Sequence, residues 1–351
     1  MDAFLEMTPD QRRRLCGEAE ARLGLRAASI EKDFWICWAL RELFALDEIG
    51  NELTFKGGTS LSKGWKLIER FSEDLDVTVS RAYLGFGGAD DPAAAGSVTS
   101  RNRRVEQLRE RCAEWVEGSL TAALRSRFEA RLPAGERWRI ALDDDDDQRL
   151  TILFDYPTVE AEGVRSGAYV RPVVKIELGA LSDTEPCDHP TMEPYLAAEF
   201  ADLLPGSRFS VRALAPVRTF WEKAMLLHEE NFRSGDSGPK PRMARHYYDL
   251  WCLIEKGLAE KARGDMELFQ RVALHRSIYF RKNLAARESL RPGALRIRPR
   301  KEHLELWRRD YAAMQETMFF GTSPEFDEIL AAVEEFEAAF NRSAGESAEG
   351  A

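Results

Sequence analysis

The spacing of apolar and polar residues changes along this chain, and the change predicts two regions. Up to about residue 185, segments with helical spacing alternate with short segments in which every second residue is apolar, as in a half-buried strand. The predicted helices of this region are 9–23, 29–46, 59–69 and 101–130, and the predicted strands are 53–55, 74–79, 138–142, 149–155 and 169–178. Beyond it the spacing is mainly helical, at 191–204, 217–232, 244–257, 265–289 and 325–341, with one short edge strand at 209–214.

These patterns predict an α/β fold. A mixed β-sheet flanked by helices is expected over residues 1–185, followed by a mainly helical C-terminal domain over residues 186–342. Residues 343–351 are small and polar, and we expect them to form a disordered tail.

One part of the first region joins a glycine turn to two carboxylates. Residues 55–60 read FKGGTS and residues 70–77 read RFSEDLDV. Gly57 and Gly58 let the backbone approach a ligand, and a helix beginning there would direct unpaired N–H groups at phosphate. Asp74 and Asp76 would lie on one face of a strand, roughly 6.6 Å apart, where both can bind one or two Mg²⁺ or Mn²⁺ ions. The pattern predicts a site for a nucleoside triphosphate.

The polar residues around this turn are candidates for contacts with the triphosphate. The hydroxyl groups of Thr59 and Ser60 and the charge of Lys63 would be available to phosphate oxygens. Ser72 would hydrogen-bond phosphate, while Arg70 would steady the loop. The glycines can also form only a turn, and the two aspartates can be solvated residues of an edge strand.

The order of these motifs resembles that of the DNA polymerase beta-like nucleotidyltransferases. The residues within the motifs resemble those of the AbiEii/AbiGii toxin family. SIEKDFW at residues 29–35 is similar to the N-terminal helix of that family. VKIEL at 174–178, WEKA at 221–224 and RHYYDL at 245–250 are similar to its second, third and fourth motifs, and they occur in the family's order. The resemblance covers residues 25 to 340.

The resemblance implies roles for three further residues. Glu177 would be a third carboxylate, acting as a metal ligand or as the general base that takes the proton of the attacking hydroxyl. Lys223 would contact the nucleotide phosphates and offset the charge that builds as pyrophosphate leaves. Asp249 would orient Lys223 or the nucleophile. The alternatives are an exposed strand residue, a solvated lysine and an ion pair between Arg245 and Asp249.

A basic segment, which we define as residues 271–301, predicts a nucleic-acid surface. Its basic residues, with Tyr279 and Phe280 between them, would suit a polyanion and a stacked base. The alternative is a solvated helical face. The residues expected to contact RNA are Arg281, Lys282, Arg296, Arg298 and Arg300.

Bulk properties exclude several classes of protein. The net charge of -10 argues against a protein that coats nucleic acid without specificity. The five cysteines form no CxxC pair, so neither zinc nor a disulfide framework is expected. No apolar run reaches the ~18 residues of a membrane span, and the N-terminus lacks the features of a signal peptide, so we expect a cytoplasmic protein without membrane contact. The spacing of a P-loop is absent.

The sequence thus predicts an Mg²⁺-dependent nucleotidyltransferase of the AbiEii toxin type. It would transfer NMP from an NTP to an acceptor hydroxyl of RNA, such as the 3′ end of tRNA, and release pyrophosphate. The resemblance implies the toxin of a toxin-antitoxin or phage-defence system with a cognate antitoxin. Two alternatives stay open: transfer to a small molecule or a protein, and a non-catalytic protein that senses nucleotides or binds a partner.

Overall fold

In the computed structural model the chain forms two compact units, and one short segment from within the sequence of the first unit belongs to the second. Unit 1 consists of Met1–Gly64 and Glu73–Ala213, and unit 2 consists of Trp65–Ser72 and Leu214–Ala351. The structure describes residues 1–159, 171–233, 238–280, 283–319 and 323–346. The boundary predicted at residue 185 lies within unit 1, because the chain returns to the sheet near Ala213 before it enters the second unit.

Within the described residues, both units contain helices, and the strands lie in unit 1 apart from Leu214 at the end of β9. The helices are α1 (Asp2–Glu6), α2 (Pro9–Leu23), α3 (Ala27–Phe44), α4 (Gly57–Thr59), α5 (Val98–Trp115), α6 (Thr121–Arg131), α7 (Tyr195–Glu199), α8 (Pro216–Asn231), α9 (Ala244–Glu255), α10 (Leu258–Gly264), α11 (Met266–Tyr279), α12 (Leu284–Glu288), α13 (Leu304–Met318) and α14 (Phe326–Glu346). The strands are β1 (Leu53–Lys56), β2 (Asp74–Val79), β3 (Arg139–Leu142), β4 (Thr151–Asp155), β5 (Val173–Gly179), β6 (Cys187–Asp188), β7 (Thr191–Met192), β8 (Phe209–Ser210) and β9 (Ala213–Leu214).

The main sheet has seven strands in the order β3-β4-β5-β2-β1-β9-β6. β2 is parallel to β5 and antiparallel to β1, and β4 is antiparallel to both β3 and β5. The predicted mixed sheet flanked by helices is confirmed. In β5 the residues are alternately buried and partly exposed, which gives the sheet one apolar and one polar face.

The apolar face of unit 1 packs against aromatic side chains of α3. Trp35 and Trp38 are fully buried and both lie edge-on or tilted against Phe154 of β4. Phe128 of α6 contacts Trp38 and Phe154 at ring-centroid distances of 4.6 and 4.7 Å. This aromatic cluster fixes α3 against the sheet, because the burial of such rings contributes roughly 1.5–3 kcal/mol each.

Unit 2 is built from helices, as the sequence predicts. Trp221 of α8 is fully buried and lies against Phe269 of α11 and Phe336 and Phe340 of α14. Tyr247 of α9 packs edge-on against Trp307 of α13 and donates its hydroxyl to the backbone of Ile297. α8 and α9 are therefore held in a fixed apolar frame.

Several elements differ from the sequence prediction. The helix predicted at 59–69 is instead α4 followed by one π-helical turn that ends at Gly64. The helix predicted at 191–204 is replaced by β7 and the short α7, and α13 lies where no helix was predicted. α14 continues to Glu346, so the helix includes the first residues of the predicted tail.

No helix among the described residues is long and apolar enough to span a membrane.

Candidate active site

The two predicted metal-binding aspartates lie on the polar face of β2. Asp74 and Asp76 are partly exposed, while Leu75 and Val77 between and after them are fully buried. This confirms the predicted alternation. Two carboxylates on one face, with access to solvent, fit Mg²⁺, which usually takes one or two protein carboxylates and completes its shell with water and phosphate oxygens.

The glycine turn lies directly beside Asp76. Gly57 follows the end of β1 and has a φ of +80°, a conformation that side-chain-bearing residues rarely adopt. A Cβ at this position would lie 2.7 Å from Cγ of Asp76 and closer still to Oδ2. Only a glycine therefore lets the Asp76 carboxylate pack against the backbone of the turn, and the predicted association of turn and acid is present.

The hydroxyl groups of the turn are hydrogen-bonded within the protein. Thr59 Oγ1 donates to the backbone oxygen of Asp74 at 2.6 Å, and Ser60 Oγ donates to the backbone oxygen of Gly57 at 3.2 Å. Both residues are fully buried. These bonds fix the turn against the start of β2, so the two side chains position the site in this structure. Their contact with phosphate stays a prediction.

Lys63 points inward rather than toward the polar face of the sheet. Its ammonium forms an ion pair with Asp33 of α3 and lies 3.0 Å from the ring centroid of Tyr195. Although burial opposes the charged form, the Asp33 carboxylate raises the pKa of Lys63 above its ordinary value. The helical turn that ends at Gly64 directs the side chain to α3, so the structure gives Lys63 a partner other than phosphate.

Three consecutive charged residues of α3, which the sequence interpretation left without a role, hold the surroundings of the site. Glu31, Lys32 and Asp33 are all buried. Lys32 pairs with Glu73, the residue before β2, and Glu31 accepts hydrogen bonds from Thr158 and the backbone of Val159. Charges in an otherwise apolar helix were the available signal, because buried ions require partners.

Glu177 is in register with Asp76 on the neighbouring strand, but its carboxylate pairs with Lys175. The Glu177 Oε1 and Lys175 Nζ atoms are 3.4 Å apart, and Lys175 is also 3.4 Å from Asp143. Glu177 and Lys175 both line a cavity of about 350 Å³. Among the described residues no group of three or more His, Cys, Asp or Glu side chains is arranged to hold a metal ion. The role of Glu177 as a third ligand stays a prediction.

In unit 2, Asp249 holds two cations. Its Oδ2 accepts from Lys223 Nζ at 2.7 Å, and its two oxygens accept a bidentate pair of bonds from Arg70 at 2.6 and 2.8 Å. All three side chains are buried. Among the described residues, the partners of Asp249 are therefore Arg70 and Lys223 rather than the Arg245 of the alternative interpretation. Its part in orienting Lys223 for catalysis stays a prediction.

The charges of this cluster shift one another's pKa values. Burial alone would raise the pKa of Asp249, but the Arg70 and Lys223 charges hold it well below its ordinary value. Burial lowers the pKa of Lys223, and Arg70 adds repulsion that Asp249 opposes. His246 lies with its Nδ1 3.5 Å from Lys223 Nζ, and burial together with the Lys223 charge lowers its pKa strongly. The cluster keeps His246 neutral.

The predicted nucleotide ligands Arg70 and Ser72 lie in the segment Trp65–Ser72, which packs in unit 2. The Arg70 guanidinium is buried on Asp249, and the backbone N–H of Phe71 donates to the carbonyl of Met318 at 2.7 Å. The bidentate pair with Asp249 thus fixes Arg70 within unit 2. Contacts of Arg70 and Ser72 with the nucleotide stay predictions.

Two arginines of the basic segment form ion pairs with glutamates of unit 2. Arg298 pairs with Glu334, and Arg300 is 3.6 Å from Glu302. The Arg296 guanidinium lies over the ring of Phe232. Arg281 and Lys282 lie outside the described residues. The arginines at 296, 298 and 300 thus have internal contacts that an RNA ligand would have to share or replace.

The chain is similar to one protein family and to solved structures. Residues 38–340 match the family model described as the nucleotidyl transferase AbiEii toxin of a type IV toxin-antitoxin system. No curated protein matches the chain. Among solved structures, MenT4, a nucleotidyltransferase toxin from Mycobacterium tuberculosis H37Rv, aligns over 95% of this chain and 99% of its own, with 16% identity and a TM-score of 0.39. JHP933 from Helicobacter pylori aligns over 91% and 97%, with 12% identity and a TM-score of 0.35.

Proposed function

This chain belongs to the nucleotidyl transferase AbiEii toxin family, and from that premise we propose that it transfers NMP from an NTP to an acceptor hydroxyl and releases pyrophosphate. The acceptor we favour is RNA, such as the 3′ end of tRNA, and the protein would act in the cytoplasm under the control of a cognate antitoxin. The position of the Asp76 carboxylate against the backbone of Gly57 carries the proposal.

The proposed chemistry uses Asp74 and Asp76 as the ligands of Mg²⁺ or Mn²⁺. When bound, the metal would steady the attacking and leaving oxygens at the α-phosphorus. Thr59 would act by holding the glycine turn to the backbone of Asp74, so that turn and carboxylates keep one geometry. Preorganisation of this kind avoids rearrangement during the reaction.

The other carboxylates and the lysine complete the proposal. Glu177 would take the proton of the attacking hydroxyl, which requires that its pair with Lys175 opens. Lys223 would contact the nucleotide phosphates, and Asp249 would hold its ammonium in one position. These three roles are proposed from the family's motifs.

Labelled NTPs, Mg²⁺ and total RNA test the proposal when they are incubated with the purified protein. We expect label in RNA with the wild type, and at least a 100-fold loss in the Asp74→Asn and Asp76→Asn variants, since each removes a charged metal ligand of similar size. An exposed aspartate of unit 1, Asp10, supplies the matched Asp→Asn control. Absence of label from RNA, protein and small molecules alike would refute the enzymatic proposal.

A second candidate is transfer to a small molecule or a protein. It is favoured by the internal ion pairs of the basic segment, which leave less free positive charge for RNA. Neutralising Arg296, Arg298 and Arg300 together distinguishes the acceptors. An RNA acceptor predicts a rise in its KM and a weaker salt dependence, whereas a small acceptor predicts an unchanged KM.

A non-catalytic role is the remaining alternative. Expression of the Asp74→Ala, Asp76→Ala double variant in cells tests it. Growth arrest that persists in this variant would identify binding, rather than transfer, as the source of toxicity.

A further inference from the structure

We propose that Lys56 is a phosphate-binding residue of the site in unit 1, which moves from Asp76 to the triphosphate when the metal binds. The inference rests on the proposed function and adds a residue that the motif interpretation left without a role. It assigns to Lys56 the part that the sequence suggested for Lys63.

Lys56 stands at the junction of strand and turn. It is the last residue of β1, next to Gly57, and it is in register with Asp76 of β2. Side chains that face each other across an antiparallel pair lie on one side of the sheet, so Lys56 shares the polar face of Asp76. Its Nζ atom is 3.9 Å from Oδ1 of Asp76.

The pair is loose and accessible. The side chains of Lys56 and Asp76 are 24% and 29% exposed, and their separation is near the upper limit for an ion pair. Exposed pairs of this kind contribute little to stability. Lys63 differs in both respects, because its side chain is 10% exposed and is held by Asp33 and Tyr195. Of these two lysines beside the turn, Lys56 is the one that can change partner at low cost.

The charges set the direction of the change. Asp76 lies between the backbone of Gly57 and the ammonium of Lys56, so a divalent cation that binds Asp76 displaces the lysine by repulsion. A triphosphate at the glycine turn offers that ammonium a new anionic partner. Lys56 thus weakens metal binding in the absence of nucleotide and strengthens triphosphate binding in its presence.

Removal of the Lys56 charge should therefore move two affinities in opposite directions. In Lys56→Met, Mn²⁺ binding to the nucleotide-free protein, measured by electron paramagnetic resonance, should tighten by about threefold. Binding of inorganic tripolyphosphate in saturating Mg²⁺, measured by calorimetry, should weaken by about tenfold or more, since a charge-assisted contact is lost. The KM for NTP should rise with the tripolyphosphate Kd, and Lys56→Arg should restore most of both.

Lys256→Met is the matched control, because Lys256 of unit 2 also forms a loose, exposed pair, with its Nζ 4.0 Å from Glu69. It should leave both the Mn²⁺ and the tripolyphosphate affinity at the wild-type value. The Lys56 variants should fold normally, since the Lys56 side chain is partly exposed and its pair with Asp76 is loose. Shifts of the same size in Lys256→Met would contradict a local role of Lys56.

The outcomes separate this inference from the proposed function. Opposite shifts in Lys56→Met support the role of Lys56. Unchanged tripolyphosphate affinity, or losses of both affinities together, would overturn it even where the wild type transfers nucleotides. A wild type that transfers no nucleotide would refute the proposed function, while the two binding measurements would still decide the role of Lys56.

Discussion

At Gly57 the backbone and a carboxylate from the neighbouring strand occupy adjoining space, so the identity of one residue depends on another. The positive φ of Gly57 is unfavourable for any residue with a Cβ, and the Asp76 carboxylate fills the space that a Cβ would occupy. Lys56, on the other side of the same carboxylate, adds a charge. These three neighbours make the site sensitive to changes of single atoms.

Gly57→Ala should therefore affect metal binding as well as stability. The positive φ alone costs about 1–2 kcal/mol in a residue with a Cβ, and the displaced Asp76 carboxylate should abolish Mn²⁺ binding at concentrations that saturate the wild type. Gly24→Ala is the control, because Gly24 has a φ of +68° and open space around it. Urea unfolding should show a lower free energy of unfolding in both variants, whereas Mn²⁺ titration should show a loss of binding only in Gly57→Ala. Equal Mn²⁺ binding by both variants would contradict the geometry.

Asp249 should give stability that depends on pH. Its pKa is lowered in the folded state, so the stabilisation is fully present above the ordinary aspartate pKa of about 3.9 and is lost as the pH falls toward the folded value. Asp249→Asn leaves Lys223 and Arg70 buried without a counter-ion, and we expect a loss of about 3–5 kcal/mol at pH 7.

Urea unfolding of the wild type and Asp249→Asn between pH 3 and pH 8 checks this expectation. The difference in the free energy of unfolding should be constant above pH 5 and should shrink below about pH 4. Asp327→Asn is the control, since Asp327 forms an exposed pair with Arg308 and should show a difference under about 1 kcal/mol. A difference that grows on acidification would contradict the depressed pKa.

At the scale of elements, α3 fixes the two chain segments that carry the site. Asp33 binds Lys63 at the end of the glycine turn, and Lys32 binds Glu73 at the start of β2. Asp33 also accepts a hydrogen bond from the first backbone N–H of α7. The aromatic residues of the same helix anchor it to the sheet, so the site rests on a buried helix and not on loops alone.

Asp33→Ala should loosen the glycine turn. It leaves the Lys63 ammonium buried without a counter-ion, for which we expect a loss of about 3–5 kcal/mol in the free energy of unfolding. Hydrogen exchange of residues 57–64 should rise more than that of β4. Glu18→Ala, which breaks an exposed pair with Arg22, should cost less than about 1 kcal/mol and leave exchange unchanged. Unchanged exchange of 57–64 in Asp33→Ala would show that α3 does not hold the turn.

The elements that the sequence predicts well are those with a local signal. β2 and β5 follow from the alternation of polar and apolar residues in DLDVTV and VKIEL, and α8 and α9 follow from helical spacing. The 59–69 helix was wrong at its end, because long-range contacts bring residues 65–72 into unit 2. The Arg70–Asp249 pair joins positions 179 residues apart, so no local pattern indicates it. The inward direction of Lys63 likewise depends on tertiary contacts.

On the scale of the whole molecule, the chain passes between its two units three times, after Gly64, Ser72 and Ala213. The short segment between the first two crossings is held in unit 2 by Arg70 and by the backbone of Phe71. In sequence, this segment connects the glycine turn to the aspartate strand, both of which belong to unit 1. The segment itself belongs to unit 2, where Arg70 is bonded to Asp249.

Arg70→Gln should release this segment. Loss of the bidentate pair leaves Asp249 with Lys223 alone, so hydrogen exchange of residues 65–72 should rise by about tenfold or more. Arg70→Lys should rescue only partly, because an ammonium cannot reproduce the planar pair of bonds. Arg308→Gln, at an exposed pair, should leave exchange of 65–72 unchanged. Full rescue by lysine would show that charge alone holds the segment.

The exchanged segment also bears on inheritance. Because residues 65–72 are encoded inside the first unit but fold with the second, no single cut in the gene separates the two units intact. Recombination that joined the first unit of one relative to the second unit of another would pair an arginine from one parent with an aspartate from the other. Family members formed by such recombination should therefore be rarer than members in which both units descend from one parent.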